Sequence, residues 1–294
     1  MQTRHLGSCP IRSGLLVFMA LMIAGCAEVA PPAVSSPVSA PLPVPPRETP
    51  TSLSPSAPVG VRTGHHPYAL KVRIEKANNL TQAVDVNYLL YLPDTYGKDP
   101  QQLWPLILFL HGSGARGSDF EILRHEGFLK TLIRKDDFPF VVVSPQLPRE
   151  LKRWSDMIDP LNVVLDHIQA TYSVDPQRAY LTGLSMGGFG TWEFALRYPR
   201  RFAAIVPIAG GYIHRSDAIP ENICELKDVP VWAFHGAQDS AVRPAQSEEL
   251  VKALEACGGN VRLTLYPDAG HVDAWEQAYA DPALYRWLLA QRLR

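Results

Sequence analysis

From Ala69 to Ile74 apolar and polar residues alternate, the period of a strand with one buried face. Val86–Leu92 reads as a second strand, stopped by Pro93-Asp94. Leu106–Leu110 (LILFL) and Phe140–Ser144 (FVVVS) are short, unbroken apolar runs, the pattern of strands buried on both faces. Further strands are predicted over Ala179–Gly183, Phe202–Pro207, Val229–His235 and Val261–Tyr266. Helical spacing runs through Asn162–Tyr172, Met186–Tyr198 and Ala245–Ala256, and helices from Asp273 onward close the chain. Strands alternating with helices predict an α/β domain, a mostly parallel sheet covered on both faces, over residues 64–294. No internal repeat interrupts this order.

The first 63 residues follow a different pattern. Arg4 and Arg12 precede an apolar stretch, Leu15–Ala24, too short to span a bilayer as a mature helix. Residues 26–63 are rich in Pro, Ala, Ser and Val, a composition that builds no core and reads as a semi-extended tether. The run Ile23-Ala24-Gly25-Cys26 resembles the lipobox of bacterial lipoproteins. That resemblance implies a signal peptide over residues 1–25, lipidation of Cys26 and anchoring at a membrane of the bacterial envelope, on its periplasmic or outer-membrane face. The alternative is an ordinary signal peptide in which Cys26 is incidental.

Export bears on the other cysteines. Cys224 and Cys257 stay in the folded domain and face an oxidising compartment, so a disulfide and a pair of buried free thiols are both open. The formal net charge of −1 gives no electrostatic reason to expect nucleic acid as a partner. No HExxH or paired-cysteine spacing occurs, so neither a catalytic metal nor a cofactor is expected.

Candidate chemistry centres on Gly183-Leu184-Ser185-Met186-Gly187, a G-x-S-x-G motif where a predicted strand gives way to a helix. Glycines there permit a tight turn that exposes the serine. A serine hydroxyl needs a base to become a nucleophile. Downstream, Asp239 follows the strand ending His235-Gly236, and His271 follows the last strand in Pro267-Asp268-Ala269-Gly270-His271. The chain order Ser, Asp, His fits a relay in which His271 takes the Ser185 proton and Asp239 orients the imidazole. Asp239 has a competing reading as a turn cap. Asp268 and Asp273 lie too close in sequence to His271 to reach behind it, and His235 reads as a loop-bonding residue rather than a base.

These motifs, with LFLHGSGARG, Ser144-Pro145-Gln146, Trp154, VPVWAFHGAQD, YPDAGH and Trp275, resemble the α/β-hydrolase esterases, in particular the peptidase/esterase group related to polyhydroxybutyrate depolymerases and feruloyl or acetyl-xylan esterases. The resemblance implies an α/β-hydrolase fold and a serine esterase. It implies an oxyanion hole from the backbone N–H groups of Ser113 and Met186, and substrate contacts from Gln146 and Trp154. Relatives often place Asp-Trp directly after the histidine, whereas this chain has His271-Val272-Asp273-Ala274-Trp275, which leaves the role of Trp275 open. The segment from Gly210 to Asp228 is short and polar, unlike a lipase lid, so soluble or polysaccharide-borne esters are expected. Serine peptidase activity and a catalytically inactive binding protein on the same scaffold are the alternatives.

Overall fold

The computed structural model describes residues 62–75, 81–132, 138–214 and 216–293. The signal peptide, Cys26 and all but the last two residues of the tether lie outside the described residues. Among those described, no helix is long and apolar enough to cross a membrane.

Eight strands form one sheet: β1 (Gly64–Glu75), β2 (Thr81–Leu92), β3 (Trp104–Leu110), β4 (Val141–Pro145), β5 (Val174–Leu184), β6 (Ala204–Ile208), β7 (Val231–Gly236) and β8 (Val261–Tyr266). Their spatial order is β1-β2-β4-β3-β5-β6-β7-β8. The β1/β2 and β2/β4 pairs are antiparallel, and the remaining pairs are parallel. The unbroken apolar runs are the central strands, as their composition requires: every residue of β3 and β4 is buried. Edge strand β1 keeps the alternation of a half-covered surface.

Side chains alternate across the pleat and supply two cores. Leu106, Leu108 and Leu110 join one cluster with α3 (Ile158–Thr171), α4 (Met186–Arg197) and α5 (Ala245–Ala256). Ile107 and Phe109 face the other, with α1 (Phe120–Arg124), α2 (Gly127–Leu132), α6 (His271–Ala280) and α7 (Pro282–Leu289). α3 begins four residues before the predicted start because Pro160 is tolerated in a first turn. α1 and α2, of five and six residues, are too short to leave a periodic signal.

Cys224 and Cys257 form a disulfide with Cα atoms 5.4 Å apart, which resolves the open choice between bridge and thiols. It ties the turn before β7 to the C-terminal end of α5 across 33 positions. Closing a loop of that length restricts the unfolded chain by about 3–4 kcal/mol. The Cys224→Ala/Cys257→Ala protein should therefore lose about 3–4 kcal/mol in urea unfolding, with little change in the native far-ultraviolet spectrum.

Candidate active site

Parallel pairing brings the carboxyl ends of β3, β5, β7 and β8 to one edge of the sheet. Ser113, Ser185, Asp239 and His271 each follow one of these ends. Ser185 sits between β5 and α4 with φ 52° and ψ −119°, a left-handed conformation that side chains rarely adopt. Its N–H donates to Ile208 O at 2.9 Å and its carbonyl accepts from Phe189 N at 3.1 Å, which hold the turn. The turn also needs Gly183 and Gly187. A Cβ on Gly183 would strike the backbone of Gly187 and Leu110, and one on Gly187 would strike the Leu110 carbonyl.

The Ser185 hydroxyl donates to His271 Nε2 at 2.9 Å, and His271 Nδ1 donates to Asp239 Oδ2 at 2.5 Å. Three distant segments thus form one hydrogen-bonded chain. His271 opens α6, where Asp273 accepts from the Gly270 N–H at 2.9 Å and fixes the entry of the helix. Asp273 is therefore a cap rather than an acid partner. One turn along, the Trp275 ring stands edge-on to the His271 ring at 4.9 Å, so the departure in motif spacing still leaves a tryptophan against the imidazole.

Asp239 is 6% exposed and its acceptor positions are filled. Oδ1 takes the N–H groups of Ala241 and Val242 at 2.9 and 2.8 Å. Oδ2 takes His271 and, from the other side, His235 Nε2 at 3.2 Å. Burial alone would push this carboxyl up. Hydrogen bonds from His235, His271 and the Val242 N–H outweigh it and hold the group well below the usual carboxylate range. His235 also donates to Val242 O at 3.0 Å and meets the Ser247 hydroxyl at 2.7 Å. It does bond the loop, and it also touches the acid, which sequence reasoning did not anticipate.

The segment after β3 begins at the buried His111. Leu147 N donates to His111 Nε2 at 2.9 Å, so the opposite nitrogen carries the hydrogen and donates to Gly112 O at 2.6 Å. Burial lowers the His111 pKa to about 4, in keeping with this neutral ring. Glu126 accepts from the Gly112 N–H, and burial pushes its carboxyl up to about 7. Gln146 lies 2% exposed behind the loop, donating to the carbonyls of Ala115 and Asp119, both at 2.9 Å. It does not line the cavity, so the substrate contact expected of it is corrected to a brace on the loop. Trp154 does line the cavity, but it is 1% exposed and its indole N–H is spent on His111 O at 3.1 Å. The substrate contact expected of it is therefore limited to an edge of wall.

The cavity over Ser185 holds about 990 Å³. Ser113 and Met186 line it with Ser185 and His271. Met186 is the first residue of α4, where an N–H has no partner within its own helix, and Ser113 opens a short 3₁₀ turn. The polar segment after β6 supplies Tyr212, Ile213 and His214 as another wall. Gln246 of α5 braces that wall, donating to Ile213 O at 3.3 Å and Ser216 O at 2.7 Å. Glu193 of α4, unmarked in the sequence, also lines the cavity, and burial pushes its carboxyl up to about 7. Among the described residues, no group of three His, Cys, Asp or Glu side chains could hold a metal ion.

A crystal structure of a thermostable esterase superimposes with a TM-score of 0.58 at 29% identity, covering 76% of this chain and 63% of that one. The chain has the α/β-hydrolase fold. The sequence model of the dienelactone hydrolase family matches residues 146–282, a little under half of the chain and the part that holds Ser185, Asp239 and His271. Poly(3-hydroxyalkanoate) depolymerase C of Paucimonas lemoignei is 31% identical over 188 residues, covering 50% of this chain and 44% of its own. A ferulic acid esterase structure shares the fold, with TM-score 0.54 at 18% identity over 77% of this chain and 97% of that one. The chain spans less than half the length of curated relatives such as the depolymerase.

Because the Asp239 carboxyl is held down in the folded protein, its contribution to stability is complete above its unfolded value near 4 and is lost as pH falls below it. In urea unfolding between pH 7 and pH 3, the wild type should lose more stability than Asp239→Asn. Parallel pH profiles would contradict the hydrogen bonding described.

Proposed function

We propose that this α/β-hydrolase is a carboxylic-ester hydrolase working through an acyl-enzyme on Ser185. The observation that carries the reading is the chain from the Ser185 hydroxyl through His271 to Asp239, at 2.9 and 2.5 Å, on a strained turn beside an open cavity. Ser185 Oγ attacks the ester carbonyl while His271 Nε2 takes its proton. The backbone N–H groups of Met186 and Ser113 receive the developing oxyanion, and losing one such donor typically costs about 2.7–4 kcal/mol. His271 returns the proton to the departing alcohol, leaving an acyl group on Ser185. A water then gives a proton to His271 as its oxygen attacks the acyl carbon, and the bond to Ser185 Oγ breaks as His271 passes that proton back to the serine, releasing the acid. Asp239 stays ionised throughout, fixing the tautomer and offsetting the charge on the imidazolium.

The relatives named above support an ester rather than a peptide bond. The large cavity, walled by a short polar segment rather than a lid, supports soluble or polymer-borne substrates, including polysaccharide esters. The lipobox-like run ending at Cys26 supports export and lipid anchoring in the bacterial envelope, with the Pro-rich stretch as tether.

A fluorophosphonate should modify the protein at Ser185, located by mass spectrometry, and Ser185→Ala should stay unmodified. kcat for an activated ester should fall at least about ten-thousandfold in Ser185→Ala and His271→Ala. A folded wild-type protein that takes no label would end the hydrolase reading. In a bacterial host Cys26→Ser should shift the protein from the membrane to the soluble envelope fraction, and unchanged membrane retention would rule out the thiol as the anchor.

A further inference from the structure

We propose that His235 is a positioning residue for the acid of the site, tying Asp239 to a second strained turn that packs against the Ser185 helix, an assignment that deepens the hydrolase reading and rests on it. Asp239 Oδ2 lies between two imidazoles, with His271 Nδ1 at 2.5 Å and His235 Nε2 at 3.2 Å. His271 continues to Ser185, whereas His235 is fully buried and continues the other way. Its Nδ1 meets the Ser247 hydroxyl at 2.7 Å, and Ser247 Oγ donates to Gly210 O at 2.8 Å. The carboxylate is therefore linked through one ring and one hydroxyl to a backbone carbonyl just after β6.

That carbonyl follows an unusual backbone. Among the described residues only Ser185 and Ala209 combine a side chain with positive φ, at 52° and 48°. Such conformations persist only where the surroundings enforce them. The Ser185 N–H donates to Ile208 O, the residue before Ala209, and the Ala209 N–H donates to Phe234 O, the residue before His235, both at 2.9 Å. Gly210 then packs on the first turn of α4, where a Cβ would strike the backbone of Gly188 and Phe189. The contacts thus return to the helix that Ser185 begins, and the acid is placed relative to the serine by more than its own loop. Val242 O, at 3.0 Å, could satisfy His235 Nε2 without the acid, which would be a purely structural role. Asp239 points past that role. Burial pushes its carboxyl up, and among the bonds that hold it down the one from His235 comes before the one from His271. An oxygen held from both sides does not swing away from His271, and a misplacement of about 1 Å can cost about a hundredfold in rate.

The test uses the purified full chain and 4-nitrophenyl acetate. His235→Leu should lower kcat by about tenfold or more and leave KM within about twofold, because alignment of the acid acts on the transition state. His235→Gln, whose amide N–H can take the place of Nε2 as donor to Asp239, should recover most of that rate. Ser247→Ala, which cuts the link to Gly210, should lower kcat by about threefold or more. In an Asp239→Asn background, where the carboxylate is gone, His235→Leu and Ser247→Ala should each add less than about twofold. A wild-type kcat in His235→Leu, a loss that appears in KM instead, or the same fractional loss with and without the Asp239 carboxylate would overturn the assignment. So would a His235→Gln protein as impaired as the leucine variant, since the donor would then not be what counts. If His235→Leu does not fold, Ser247→Ala decides by the same comparison with and without Asp239→Asn. Fluorophosphonate labelling of the wild-type sample separates the two ideas. A labelled Ser185 whose turnover is indifferent to position 235 removes only the role of His235, whereas no label and no turnover removes the hydrolase reading and the assignment with it.

Discussion

The backbone at Ser185 is bent into a left-handed conformation between a strand and a helix, and the rest of the site is arranged around where that bend leaves the hydroxyl. Such a conformation costs about 1–3 kcal/mol and persists only where its surroundings enforce it. Here the enforcement is dense. The Ser185 N–H is bonded to β6, the first turn of α4 is bonded back to Ser185, and two glycines let the backbones of β3, β5 and α4 approach within a side chain's width. The sheet thereby functions as a jig. Its parallel register fixes the ends of β7 and β8 beside that of β5, and the acid and the base arrive on loops of only a few residues.

Electrostatics completes what the register begins. Asp239 is buried, yet it remains an anion because two backbone N–H groups and two imidazoles fill its oxygens. The loop after β3 is handled in the opposite way. His111, Gln146, Trp154 and Glu126 occupy its carbonyls and N–H groups from behind, with the histidine kept neutral by burial. In the reaction proposed above, donors held this way would need no rearrangement as charge develops.

Much of this was legible in the sequence, for identifiable reasons. LILFL and FVVVS announce themselves because a strand covered on both faces has no polar positions to spare. Ser185, Asp239 and His271 stand out because glycine-rich turns at strand ends leave a strong local pattern. What the sequence withheld depends on direction in space. Gln146 sits in a motif shared with esterases, but nothing in a motif says that its side chain turns away from the cavity. His235 reaches Asp239 through a loop whose path has no periodic signature. Glu193 belongs to the cavity only because of how α4 lies against the sheet. Cys224 and Cys257 were balanced between bridge and thiols because their meeting depends on how the turn before β7 packs on α5.

α5 connects parts of the molecule that the chemistry alone would leave separate. Its first turn presents Ser247 to His235 and Gln246 to the carbonyls of the cavity wall, while its last residues are stapled by the disulfide. The helix therefore works as a strut with one welded foot. The Tyr212–His214 wall and, through His235, the aspartate thus rest on one helix. The bridge between Cys224 and Cys257 makes that distal end a covalent tie, so the helix that braces the cavity wall at its start is anchored to the turn before β7 at its finish.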